Sequence, residues 1–488
     1  MTTKTKKIVI LGGGISGLSA AYYVKKIANE QQIPVEITLI EKENRLGGKL
    51  HTVKRNGFTI EKGPDAFLAR KPAILELTKL LHIEDQLVAT NPEAGITRIL
   101  HKGKLHPMPM GFVLGIPTQI TPFIKTGLIS PLGKVRALFD LVIPARQGEQ
   151  DESLGNFIER RLGKEVLEQI TEPLLAGIYA GDTRSLSLTA TFPQFQQMEQ
   201  QHGSLIKGMI GGKKRKVSTN VSESPKPSSA TTNQSPSIPK SMFLSYKGGL
   251  SYLIEQLKKN LESVHFRLGE SVRSVQKYHQ QYNLILDNGE EIEADQVIST
   301  IPAYAAAHIF AHVPNTEHLQ HIHYVSVANI ALAFPYTVLK ESLRSPGFLV
   351  PRKEGKMITA CTISSIKWNH TAPTDQVLLR VYIGRAGAEE WVDMTDEQLV
   401  TAARQDLQEL LGIEAQPQLI EISRCIQSMP QYPLDHRQQM DLLRRQLAQQ
   451  MPGVWLSGGG YDGVGIPDCI AHAKKTAEQV IQHIQTNS

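Results

Sequence analysis

Apolar positions along this chain follow two rhythms, and their order predicts its architecture. Ile8-Val9-Ile10-Leu11 is a short unbroken apolar run, the pattern of a strand buried on both faces. Gly12-Gly13-Gly14-Ile15-Ser16-Gly17 follows, then an Ala- and Leu-rich helical stretch from Leu18 to about Glu30. Val35 to Ile40 reads as a second strand ending at Glu41, so the start of the chain is a βαβ unit. Residues 72–90 and 92–210 read as helices and loops, with helical spacing from Ser153 to Ile170. Gly248-Gly249-Leu250 opens a helix through Leu261. Strands are then predicted at Val272–Val275, Tyr282–Leu286 and Glu291–Ile301, the second and third joined by the turn Asp287-Asn288-Gly289. Further strands are expected at Val325–Phe334, Lys356–Thr362 and Val377–Gly384, and a helix at Asp396–Leu411. The pattern closes as it began: strand Val454–Ser457, glycine loop Gly458–Gly465, helix Asp468–Ile484.

Composition narrows the class. With 488 residues, 41% hydrophobic and 20% charged, the chain is an ordinary globular one with room for a large core. Its net charge of +6 does not spread over the body. Residues 1–7 and 213–240 hold nine cations against Glu223 alone, a surplus of eight that leaves net −2 elsewhere. A polyanion-binding surface, and hence nucleic acid, is not expected. The Ser-, Thr-, Pro- and Lys-rich run at 213–240 reads as a disordered insertion. Cys361, Cys425 and Cys469 form no C-x-x-C and no even framework, which points to a reducing cytoplasm and no structural zinc. No signal-peptide cleavage pattern precedes the first strand. Pro107–Ile124 is long and uncharged, but Pro107, Pro109, Pro117 and Pro122 would break a spanning helix. It reads as a buried loop and short helices, with a peripheral membrane contact as the alternative.

The chemistry concentrates in glycines. Gly12-x-Gly14-x-x-Gly17 between strand and helix is a dinucleotide fingerprint: a tight turn, a close backbone approach to pyrophosphate, and close strand–helix packing. Glu41, 24 residues past Gly17, is placed to accept from ribose hydroxyls. Gly458-x-Gly460-x-x-Gly463 repeats the spacing, but the 25 residues after Gly463 cannot complete a second βαβ unit. It is read instead as a loop that sets Val464, Gly465 and Ile466 at a helix N-terminus against the bound dinucleotide. Cys469 reads as a small buried residue rather than a covalent tether, and the sixteen histidines form no metal motif.

Arg45-Leu46-Gly47-Gly48-Lys49 and Glu61-Lys62-Gly63-Pro64-Asp65 resemble the glycine extension and flavin-contact loop of the amine-oxidase and phytoene-desaturase superfamily. With ITEPLLAGIYAGD at 170–182 and GGYDGVGIPDCI at 459–470, the chain resembles the protoporphyrinogen-oxidase family from end to end outside 213–240. Within that family it is most similar to the coproporphyrinogen III oxidases of Gram-positive-type bacteria.

That resemblance implies a fold of α/β plus α+β type: a Rossmann-like FAD domain (1–75, 242–302 and 447–488), a mixed-sheet substrate domain (76–91 and 303–446), and an inserted helical domain (92–212) before the linker 213–241. It implies FAD held by Gly12, Gly13, Gly14, Ile15, Ser16, Gly17, Glu41, Lys42, Lys49, Gly63, Pro64, Asp65, Ala66, Val272, Trp391, Val464, Gly465 and Ile466. The implied reaction is six-electron oxidation of coproporphyrinogen III by dioxygen, giving hydrogen peroxide, by hydride transfer to the flavin with no obligatory side-chain base. Protoporphyrinogen IX oxidation and a related amine oxidase or desaturase are the alternatives, and a flavin-binding interaction protein stands behind them. Lys71, Arg70, Tyr382, Ile178 and Tyr179 are candidate substrate contacts, and no side chain is expected to be catalytic, the chemistry being centred on the flavin. A monomer or weak homodimer in the cytoplasm is expected, with room for a transient ferrochelatase-type partner.

Overall fold

The computed structural model describes residues 4–113, 116–117, 119–148, 150–210, 238–340 and 344–487. Positions 213–237, most of the expected insertion, lie outside the described residues. The chain divides into two compact units: Met1–Thr90, Ile238–His323 and His436–Ser488 form the first, Asn91–Ser237 and Tyr324–Asp435 the second. The helical and substrate-sheet segments separated on sequence therefore share one unit, while 76–90, 303–323 and 436–446 belong with the nucleotide-binding strands.

The first unit is built on five parallel strands in the order His265–Leu268, Val35–Glu41, Lys6–Leu11, Gln296–Ser299, Val454–Leu456. Strands covered on both faces need no polar alternation, which is why Ile8–Leu11 and Val297–Ile298 read as unbroken apolar runs. The helices Ile15–Glu30 and Ile466–Thr486 pack against each other over this sheet. Leu18, Val24, Ala473, Val480 and Ile484 close one core with Ile8, Ile10 and Leu39. Strand order reverses direction between Lys6–Leu11 and Gln296–Ser299, so a crevice opens at their carboxyl ends.

The expected strand Glu291–Ile301 is two. Glu291–Ala294 joins a three-stranded meander with Val272–Tyr278 and Gln281–Leu286, whereas Gln296–Ser299 enters the parallel sheet. Asp295 separates them and accepts from Lys7 N at 2.7 Å. The Asp287–Gly289 turn forms as expected, with Gly289 at φ +84°.

In the second unit, seven strands align in the order Leu419–Gln431, His323–Pro335, Gln376–Ile383, Ile358–Ile363, Gly347–Leu349, Arg98–His101, Lys104–Pro107. The last two correct the reading of 92–210 as helices and loops alone: a hairpin at 98–107 turns through Lys102 and Gly103, both at positive φ. Lys-Gly is a weak turn signal, and these strands are only four residues long. One sheet face is covered by the helix Asp396–Leu411, which lays down Leu399, Ala403, Leu407 and Leu411 at spacing four on Ile330, Leu332, Leu379 and Val381. Thr395 and Gln398 close its start as a reciprocal capping box.

The expected helix Ser153–Ile170 is broken. Leu154–Leu162 ends at Gly163 (φ +92°), and the chain resumes as Lys164–Val166, a π turn at Leu167–Thr171 and the helix Glu172–Tyr179. Arg161 holds these helices together. Fully buried, it pairs with equally buried Asp140 at 2.5 Å and donates to the carbonyls of Asp140, Ile143 and Gly203. The helix Pro131–Leu138 and the turn after it turn Leu132, Val135, Phe139 and Val142 outward. No helix among the described residues is long and apolar enough to cross a membrane. Within 107–124 the chain forms the short helix Ile120–Lys125, with Met110 and Ile124 exposed.

Candidate functional site

The crevice at the carboxyl ends of the parallel strands is built almost entirely from backbone. Gly12 leaves the first strand at φ +101°, and a methyl there would lie 2.8 Å from Thr300 Oγ1. Thr300 in turn donates to Leu11 O at 2.8 Å, tying the two strands that flank the switch point. Gly17 is packed hardest: a Cβ would lie 1.9 Å from Gly12 O. Gly14 is the opposite case, since a Cβ there would meet nothing within 4 Å. The fingerprint's three glycines thus do three separable jobs, a turn, an open approach and a close packing.

The second glycine pair lies directly on the first. Gly47 N donates to Gly13 O at 2.8 Å, Gly14 and Gly47 form a bridge, and a Cβ on Gly48 would stand 3.3 Å from Gly14 Cα. Gly47 and Gly48 sit at φ +106° and +54°, backbone that a side chain would strain. Arg45 holds the turn by donating to Gly48 O at 2.8 Å. Glu41 ends its strand beside this loop and accepts from Gly13 N at 2.6 Å and Glu43 N at 2.8 Å. A carboxylate has about four acceptor positions, so two remain for ribose hydroxyls. Lys42 and Lys49 are exposed at the same edge.

Two further segments close on the cradle. Gly63 sits so near the chain that a Cβ would lie 2.1 Å from Lys49 O, which fixes Gly63-Pro64-Asp65-Ala66 beside the second glycine pair. The loop Gly458–Gly465 packs on the first helix, where a Cβ on Gly458 would meet Ser16 Oγ at 2.7 Å. Val464, Gly465 and Ile466 then start the last helix. Neither this helix nor the one at Ile15 has a side-chain cap, so both leave first-turn N–H groups without the usual side-chain acceptor. Val272 begins its strand just past Glu270, whose N donates to Glu41 O at 3.1 Å, so its backbone also reaches this edge. An open Gly14, uncapped helix starts and a ribose-facing acid fit an extended dinucleotide such as FAD.

Three residues bear on this site without having been singled out. Asp468 receives Lys71 Nζ at 2.6 and 2.5 Å, so the first candidate propionate anchor is paired within its own unit. Thr300 could have been found as a hydroxyl at the end of a parallel strand. The third is His436, which has no sequence signal. Its Nε2 lies 2.7 Å from Tyr461 O in the second glycine loop, and its Nδ1 lies 3.1 Å from His318 Nε2. A carbonyl only accepts, so His436 Nε2 carries the proton and Nδ1 accepts from His318. Burial pushes His436 down to about 4 and lowers His318 too.

The candidate substrate residues divide between the units. Arg70 is exposed beside Lys71 in the first. In the second, Ile178 is 41% exposed and Tyr179 buried at the end of the helix Glu172–Tyr179. Tyr382 is half-buried on the sheet, with the Arg380 guanidinium 5.4 Å from its ring centre. Trp391 is 1% exposed in the apolar core of the second unit, where packing accounts for it. Cys469 is buried with its thiol pushed up, the state of an inert structural cysteine. No cluster able to hold a metal ion occurs among the described residues.

Comparison with known proteins agrees with this geometry. The model of the flavin containing amine oxidoreductases matches residues 15–481. The chain is 42% identical to the coproporphyrinogen III oxidase of Bacillus subtilis (strain 168), over 99% of this chain and all of that one. It is 36% identical to the coproporphyrinogen III oxidase of Staphylococcus aureus, over 98% of this chain and all of that one. A crystal structure assigned as a protoporphyrinogen oxidase from Exiguobacterium sp. 255-15 superposes with a TM-score of 0.83 at 36% identity, covering 98% of this chain and 99% of its own. The chain belongs to the flavin containing amine oxidoreductases and, within them, to the family of protoporphyrinogen and coproporphyrinogen oxidases.

Proposed function

We propose that this chain is an FAD-dependent oxidase that converts coproporphyrinogen III to coproporphyrin III with dioxygen, in haem biosynthesis. The observation that carries it is the 42% identity to a coproporphyrinogen III oxidase over 99% of this chain and all of that one. FAD, when bound, supplies a two-electron acceptor that dioxygen can reoxidise. Removing six hydrogens from the macrocycle therefore consumes three dioxygen molecules and yields three hydrogen peroxide molecules.

The residues of this chain bind and orient. The N–H groups of Gly14 and the Ile15 helix start would hold the FAD pyrophosphate, and Glu41, fixed by the Gly13 N–H, would accept from the ribose. Gly465 and Ile466 present a second helix start, held in place by Tyr461 and His436. Lys71 and Arg70 are candidate propionate contacts in the first unit, and Ile178, Tyr179 and Tyr382 are candidate macrocycle contacts in the second. Because Lys71 is paired with Asp468, engaging a propionate requires it to share or leave that partner. Three free cysteines, two of them buried, support a reducing cytoplasmic setting.

An oxygen electrode and a peroxide assay test the reaction together. Three peroxides per coproporphyrin formed is the expected ratio, and porphyrin formation without oxygen uptake would reject the oxidase reading. Protoporphyrinogen IX is the second reading, favoured by the assignment of the Exiguobacterium structure.

A further inference from the structure

Arg385 is a buried cation without a matching acid. The strand Gln376–Ile383 ends in Gly384-Arg385-Ala386-Gly387, a turn that needs both glycines. Gly384 sits at φ +102°, with room for neither a side chain nor a shift, since a Cβ would meet Trp391 Nε1 at 2.4 Å and Ser326 O at 2.6 Å. The turn is pinned to the end of the helix Glu172–Tyr179 by Ala386 N donating to Ala180 O at 2.8 Å. Arg385 is thereby fixed three residues from Tyr382 and beside the turn that follows Ile178 and Tyr179.

Arg385 is 7% exposed, yet its guanidinium donates one long hydrogen bond, Nη1 to Val350 O at 3.5 Å, and forms no ion pair among the described residues. Arg352 stands close by, donating to Ala386 O at 2.9 Å and pairing with Glu172 at 3.4 Å. Glu172, paired with Arg352, is the one carboxylate whose charge also reaches Arg385. Burial, then the charge of Arg352, lowers Arg385 to about 10, with Glu172 opposing. Arginine presents a planar fork of donors that matches a carboxylate, and a buried unmatched fork is costly unless an anion completes it.

We propose that Arg385, supported by Arg352, is a binding subsite for a propionate carboxylate of the porphyrinogen, and that Glu172 tunes its charge. The proposal rests on the coproporphyrinogen reading of the same site. It supplies a tetra-acid with a cationic partner other than Lys71, which already has a carboxylate partner.

The test uses the FAD-loaded full chain. KM and kcat are measured on coproporphyrinogen III, and binding of coproporphyrin III and of its tetramethyl ester is followed by porphyrin fluorescence. Arg385→Gln should raise KM for the tetra-acid about 30-fold with kcat nearly kept, the pattern of lost binding common to ground and transition states. It should weaken coproporphyrin III to a similar degree and leave the ester, which has no carboxylates, within about threefold of wild type. Glu172→Gln, by removing the one opposing charge, should tighten coproporphyrin III about threefold and leave the ester unchanged. If Arg385→Gln does not fold, the Glu172→Gln pair of measurements decides the question alone. Unchanged tetra-acid affinity, or equal weakening of acid and ester, would overturn the subsite while leaving the oxidase intact. A wild-type enzyme silent on coproporphyrinogen III would instead overturn the functional reading beneath it.

Discussion

Gly14 and Gly17 lie three residues apart in one fingerprint, yet alanine at each should fail in a different way. At Gly17 the new methyl would lie 1.9 Å from Gly12 O, so strand and helix must part by about 1 Å to reach even a tight contact. The obstacle is backbone and cannot rotate away, which sets the cost at about 2–3 kcal/mol, the upper range for overpacking. Gly14 has a φ of −74°, ordinary for any residue, and nothing within 4 Å of a Cβ. Alanine there should leave the FAD-free protein within about 1 kcal/mol of wild type, since the poorer helix start is offset by a less flexible unfolded chain. The methyl would instead occupy the approach used by the pyrophosphate. Losing one charge-assisted N–H contact costs about 2–3 kcal/mol, or roughly a 30- to 150-fold rise in the FAD dissociation constant. The assay is flavin-fluorescence titration of the FAD-free proteins, paired with thermal melts with and without FAD. Wild type should gain stability with FAD by mass action and Gly14→Ala should lose most of that gain. Gly17→Ala should melt early even without FAD. A Gly14→Ala protein that binds FAD within threefold of wild type would refute this division of labour.

Other outcomes follow from the same geometry. Stability should fall as pH drops below about 6.5, because His436 and His318 bind protons more readily unfolded than folded. For His436, with its folded value near 4, the loss approaches about 3 kcal/mol once the pH falls to that value, read by denaturant titration across pH. His436→Ala should weaken FAD by loosening the second glycine loop, whereas His436→Gln, which can still donate to Tyr461 O, should restore part of the affinity. Arg161→Ala strands the fully buried Asp140 and should cost about 3–5 kcal/mol in chemical denaturation without moving FAD affinity. Lys71→Ala breaks a half-exposed pair worth about 1 kcal/mol or less, so its melting point should hardly move. Its KM for coproporphyrinogen III should rise if Lys71 reaches a propionate, and an unchanged KM removes it as an anchor. Deleting 213–237 should leave kcat and KM as in wild type, which steady-state kinetics would check.

The nucleotide half of the molecule was legible because its information is local. A glycine fingerprint needs particular residues at particular spacings, and the strands it joins are apolar runs that mean the same thing in any context. What escaped was set by partners distant in sequence. His436 is an unremarkable histidine until 25 residues later Tyr461 presents a carbonyl to it. Lys71 looked available because Asp468, 397 residues away, gives no hint in sequence of where it folds. The burial of Trp391, which the resemblance implies is an aromatic near the flavin, depends on the second sheet and the helix at Asp396–Leu411. The hairpin at 98–107 was missed since four-residue strands with a Lys-Gly turn carry little periodicity. Gly163 breaks the Ser153–Ile170 helix at φ +92°, a local cue present in the sequence but outweighed by the helical spacing on either side of it.

The most direct test of the account is aerobic turnover of the FAD-loaded chain on coproporphyrinogen III and protoporphyrinogen IX side by side, read by porphyrin fluorescence. A kcat/KM for the tetra-acid well above that for the di-acid is the predicted result. Preference for protoporphyrinogen IX, or no turnover of either by a protein that binds FAD, would contradict it.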